Sequence, residues 1–103
     1  VIRTHVYVGT LSCDFLLGDV RSLKEKRSVV RPIVAELIRK YAVTAAEVGH
    51  QDLHRRTVIG LATISGDAGH LTDILDRCER MLAARPEVEL LSVRRRIHHE
   101  DDE

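Results

Sequence analysis

Ser22-Leu23-Lys24-Glu25-Lys26-Arg27 opens a helix, and the rest of the chain arranges itself around that helix. Ser22 and Glu25 stand at the S-x-x-E spacing of a capping box. In that motif the Ser side chain accepts from the amide three residues on, and the Glu reaches back to the N-cap amide. From Leu23 to about Tyr41 the residues Leu23, Val30, Ile33, Val34, Leu37, Ile38 and Tyr41 share one stripe at 100° per residue. Pro32 lies inside this helix. A mid-helix proline removes one backbone bond and clashes one turn back, so a kink or break is expected near Ser28 to Arg31, with the basic turn as a short separate helix in the extreme case.

Upstream, His5 to Phe15 reads as a strand whose odd residues Tyr7, Leu11, Cys13 and Phe15 share the core face. Gly18-Asp19 supplies a turn before the helix. Downstream, Val43 to Val48 is a short second strand, followed by a polar connection from Gly49 to Arg56. Thr57 to Ser65 is a third strand, apolar on both faces: Ile59 and Leu61 on one, Val58, Ala62 and Ile64 on the other. Asp67 is placed to cap a second helix, with Leu71, Ile74, Leu75, Cys78 and Leu82 at i, i+3, i+4, i+7 and i+11. Pro86 closes that helix, and Val88 to Ile97 is a fourth strand containing Arg94-Arg95-Arg96.

The order strand, helix, strand, strand, helix, strand predicts an α+β, ferredoxin-like βαββαβ domain over residues 1–97. It has a four-stranded antiparallel sheet with two helices on one face. Each crossover should be right-handed. Residues 98–103 form an acidic C-terminal tail, expected to fray. The other sheet face has no covering element, and the doubly apolar third strand points to self-association through it.

At 103 residues, with 44% hydrophobic and 31% charged residues, the chain suits one globular domain with a real core. Only 3% of residues are aromatic, so that core is aliphatic. No apolar run is long enough to cross a membrane. Val1-Ile2-Arg3-Thr4 lacks the layout of a signal peptide. Cys13 and Cys78 make no disulfide framework, which fits a cytoplasmic protein with buried free thiols. The formal net charge is zero, yet Glu100 to Glu103 are all acidic, so the remainder carries 16 basic against 12 acidic residues. Between Arg21 and Arg56 there are nine basic residues and four acidic ones. Positive charge at a helix start opposes the macrodipole. Arg21, Lys24, Lys26 and Arg27 therefore point to an anionic partner, whereas a solvated charged turn is the plain alternative.

Three stretches carry a resemblance: Ser22 to Arg27, Ala46-Glu47-Val48-Gly49-His50-Gln51-Asp52-Leu53, and Pro86-Glu87-Val88-Glu89-Leu90-Leu91. Together they resemble the YlxP-like family, small bacterial proteins carrying a domain of unknown function. The resemblance covers nearly the whole chain except the acidic tail. It implies the same ferredoxin-like fold and, from genes that lie near those for a translation initiation factor and a ribosome-binding factor, a link to ribosome assembly or translation. It brings no catalytic residues.

The residues themselves favour RNA as partner, and the resemblance implies a ribosomal subunit. Arg21, Lys24, Lys26, Arg27, Arg31, Arg55 and Arg56 are the expected phosphate contacts, with Arg94 and Arg96 as further ones. Base stacking on the sheet is disfavoured because Tyr7 and Phe15 are in the core-facing phase. His50, Asp52 and His54 alternate and offer a weak candidate metal set, although a hairpin loop with local hydrogen bonds explains them better. There is no nucleophile elbow or Walker loop, and no cofactor is indicated. Asp14 on the open face and the Gly18 to Lys24 loop lack a catalytic partner. The expectation is a non-catalytic RNA- or ribosome-associated protein; the alternative is an oligomeric protein- or small-ligand-binding module without a nucleic-acid role.

Overall fold

The computed structural model describes residues 3–102. Six elements follow in order: β1 (Tyr7–Leu17), α1 (Leu23–Tyr41), β2 (Thr44–Gly49), β3 (Arg56–Ser65), α2 (Ala68–Ala83) and β4 (Val88–His99). The strands form one antiparallel sheet in the order β2-β3-β1-β4, and the fold is ferredoxin-like.

Local chemistry explains both helix starts. Ser22 Oγ accepts from the Glu25 amide at 3.0 Å. Glu25 reaches back to the amide of Arg21 at 3.0 Å, one residue before the position the capping-box spacing predicts. Asp67 Oδ1 accepts from the His70 amide at 2.9 Å. The break expected at Pro32 does not occur, because α1 is continuous with Pro32 inside it. Pro32 and Ser28 are both exposed, so the carbonyl deprived of its amide partner faces water rather than the core. The helix ends where Ala42 turns into the left-handed region at φ 55°.

Leu11, Cys13, Phe15 and Leu17 of β1 and Ile59 and Leu61 of β3 bury one sheet face. Val30, Ile33 and Leu37 of α1 and Leu75, Cys78 and Leu82 of α2 complete that core. Gly9 belongs to the same phase, and a Cβ there would lie 2.8 Å from Leu75 Cδ1, so the glycine lets α2 lie close on β1. Tyr7 is half-buried, in contact with His99 at 4.6 Å between ring centroids. The terminal strand continues past Ile97 to His99, opposite Tyr7, and the Glu100 amide bonds Val6 O at 2.9 Å. His98 and His99 are therefore in the sheet rather than frayed, while Glu103 lies outside the described residues.

On the opposite face, Thr10 pairs with Ala62 and Arg96, and Ser12 with Gly60 and Arg94. That face carries Ile64 at 66% and Val48 at 56% exposure. Among the described residues, no helix is long and apolar enough to cross a membrane.

Candidate nucleic-acid interface

Lys24, Arg27 and Arg31 stand at i, i+3 and i+7 on the outer flank of α1, so one turn separates each from the next. All three are exposed, and none forms an ion pair among the described residues. With Ser28 and Pro32 they line a shallow depression of about 330 Å³. Arg21 lies just before the cap, also exposed, against Asp19 at 3.5 Å. A pair so open to water holds its charge weakly and leaves Arg21 available.

Three of the cations expected to meet phosphate are otherwise engaged. Lys26 is 2% exposed. Its Nζ lies 2.9 Å from His50 O, 3.0 Å from Gln51 O, 3.3 Å from Arg56 O and 3.0 Å from Glu47 Oε2. An ammonium has three N–H donors, so these four acceptors saturate it. Glu47 Oε2 also accepts from Thr57 Oγ1 at 2.6 Å. Lys26 is thus a buried tie between the start of α1 and the β2–β3 hairpin, which corrects its reading as a phosphate contact. The signal was present in the spacing, since Lys26 falls on the core stripe with Val30, Ile33 and Leu37.

Arg56 grips Asp14, with Nη2 to Oδ2 at 2.8 Å and Nε to Oδ1 at 3.3 Å, on the open sheet face. His50 Nε2 stands 3.6 Å from the same Asp14 oxygen. Arg56 is therefore neutralised and lies on the face opposite the helices, away from the α1 flank. Arg55 remains exposed, but its Nε donates to Leu17 O at 3.2 Å and Gly18 O at 2.8 Å, fastening the end of β1. Strand alternation splits the arginine triplet. Arg95 turns to the helix side and bonds Asp76 at 2.7 Å and Glu79 at 3.1 Å, whereas Arg94 and Arg96 turn to the open face. Burial works against the Arg95 charge, but these two carboxylates outweigh it and hold its pKa above the ordinary value.

The structure does not assemble His50, Asp52 and His54 into a ligand set, and no group of three His, Cys, Asp or Glu among the described residues is placed to hold a metal ion. His50 adopts a left-handed backbone at φ 54°, and its carbonyl receives the Lys26 ammonium while its ring turns toward Asp14. Sequence spacing gave no sign of the Asp14–Arg56–His50 cluster, whose members come from three separate segments.

Solved structures resemble the fold at low sequence identity. The protein SO0527 from Shewanella oneidensis is 19% identical with a TM-score of 0.51, over 97% of this chain and 95% of that one. A variant of SnoaB, a cofactor-independent oxygenase from Streptomyces nogalater, is 14% identical with a TM-score of 0.47, over 93% and 95%. In sequence, the uncharacterized protein YlxP of Bacillus subtilis (strain 168) is 33% identical over 82 residues, spanning 80% of this chain and 89% of that protein. Residues 8–95 also match the family described as a protein of unknown function, DUF503, so the chain belongs to this YlxP-like family.

Proposed function

We propose that the protein is a non-catalytic, RNA- or ribosome-associated accessory protein whose α1 flank contacts phosphate. The observation that carries this reading is the set Lys24, Arg27 and Arg31: three exposed cations without ion-pair partners among the described residues, around one depression. The separation of roles sharpens the reading. Lys26, Arg55 and Arg56 hold the framework, and Lys24, Arg27 and Arg31, with Arg21 beside them, are left for a ligand. Contacts of this kind supply affinity and register on a nucleic-acid backbone rather than base discrimination. The gene neighbourhood implied by the family resemblance points the same way.

Binding to ribosomal RNA and to small ribosomal subunits across a salt series tests the proposal. Replacing Lys24, Arg27 and Arg31 together by Ala should weaken binding and flatten the slope of log K against log salt by about 2, at roughly 0.7 per phosphate contact on a single strand. An Arg94→Ala/Arg96→Ala variant, altered on the opposite face, should keep the wild-type slope. Absence of binding at low salt, or a slope indifferent to the α1 triple substitution, would overturn the reading.

A second proposal concerns self-association. The exposed Val48 and Ile64 on the open sheet face favour a homodimer or larger assembly built through that face.

A further inference from the structure

We infer that the free edge of β2, with the groove beside it on α1, is a docking site for an extended peptide carrying acidic residues followed by aliphatic ones. The inference does not depend on the RNA proposal, although both sites use Arg27 and Arg31.

Among the described residues β2 pairs only with β3, so its other edge is free of strand pairing along six residues, about 20 Å, although Glu47 O accepts from the Gln51 side-chain amide at 3.2 Å. A free edge of this kind is a template for an added strand. β2 carries no Lys, Arg or Pro to repel one, and its single charge, Glu47, is turned inward and satisfied by Lys26 and Thr57. The strand's shortness and the irregularity between Glu47 and Gly49 limit open-ended pairing, yet leave Thr44 to Glu47 in regular register with β3.

Beside this edge lies a groove of about 410 Å³. Val30, Val34, Ala35 and Ile38 give it an apolar lining, Arg27 and Arg31 stand at one end, and Glu47 forms the β2 side. Ile38 is 46% exposed, a large aliphatic group left at the surface of an amphipathic helix. An ordinary solvated helix flank would explain the arginines or the isoleucine singly. It does not explain why apolar lining, unpaired cations and a free strand edge coincide.

Every pair in this sheet is antiparallel, and for a partner strand that continues this pattern on β2 the geometry fixes the order of its residues. Arg27 and Arg31 are about one turn apart, roughly 6 Å along the helix. Same-side residues of an extended strand repeat at roughly 6.6 Å, so two acidic residues at i and i+2 match the two arginines. Lys26 joins the start of α1 to the end of β2, and only Ala42 and Val43 separate the end of α1 from the start of β2. The two elements therefore run antiparallel. A strand added antiparallel to β2 runs in the direction of α1, meeting Arg27 and Arg31 first and Val34 and Ile38 later. Its acidic residues come first, and its aliphatic ones follow at further same-side positions.

The test is a pool of ten-residue peptides with Asp or Glu at two alternate positions, Val, Ile or Leu at the next two, and random residues between. Selection is against the full-length chain. Selected peptides should bind, and N-methylation of every second amide should weaken binding about tenfold in one phase and little in the other, because a strand offers only alternate N–H groups to its neighbour. Arg27→Glu/Arg31→Glu and Ile38→Asp should each weaken binding about tenfold. Lys24→Ala should leave it unchanged, and circular dichroism checks that the variants stay folded. Three results would overturn the inference: a pool with Lys at the acidic positions yielding equal binders, both N-methyl phases behaving alike, or Ile38→Asp having no effect. The last would mean that charge alone binds here, as in the RNA proposal.

Discussion

Lys26 and Glu47 stabilise the domain only as a pair. Replacing Lys26 by Met removes the ammonium and leaves Glu47, with a side chain 22% exposed, short of its counter-charge. Breaking a buried pair from one side costs about 3 kcal/mol, and the partial exposure of Glu47 moderates this. Urea denaturation of Lys26→Met should show a loss of about 2–3 kcal/mol, with RNA binding by the surviving folded protein keeping its wild-type salt slope. Adding Glu47→Leu should recover part of the loss. At the same scale, burial pushes the Cys13 thiol up to about 12, with Glu79 adding and Arg95 opposing. Burial likewise pushes Cys78 up to about 11, against Arg95. Unfolded thiols ionise near 9, so above that pH the unfolded chain gives up protons that the folded chain keeps. The stability from the neutral buried thiols is complete below pH 9 and is lost as pH rises toward 11 and 12. The decline should be on the order of 1 kcal/mol per pH unit for each thiol, measured as the difference between wild type and a Cys13→Ala/Cys78→Ala variant.

At the scale of elements, the helix stripes were legible because periodicity is local. Leu71, Leu75, Cys78 and Leu82 are buried along α2 as their spacing requires. The same periodicity found the extent of α1, Leu23 to Tyr41. Of the kink or break expected at Pro32, the break does not occur, because whether a proline breaks a helix depends on what its orphaned carbonyl meets. Here it meets water, and the packing of Val30, Ile33 and Leu37 holds both halves together. Pro32→Ala restores the missing amide at an exposed site without touching the core. The gain of a helix bond and helix propensity exceeds the loss of proline's restraint on the unfolded chain, so chemical denaturation should show a stabilisation of roughly 1–2 kcal/mol.

Across the whole molecule, two surfaces of different character lie on opposite sides of one sheet. The helix layer presents Lys24, Arg27 and Arg31; the open face mixes Ile64, Val48 and Ala62 with the self-neutralised Asp14–Arg56 pair and the exposed Arg94 and Arg96. If the open face buries itself in a dimer, sedimentation should show concentration-dependent association that Ile64→Glu abolishes without loss of fold. A strict monomer at high concentration would count against it. Sequence alone determined the order of elements, the two aliphatic helix stripes, the antiparallel ferredoxin-like topology and the basic character of the α1 start, because the elements follow from local spacing and the topology from the order in which they alternate. Only the tertiary structure decided what engages each cation, although the spacing already set Lys26 on the core stripe. Lys26 is claimed by carbonyls 24 to 30 residues away and Arg56 by a carboxylate 42 residues away, and partners so distant are chosen by strand register and hairpin placement, which no local pattern encodes.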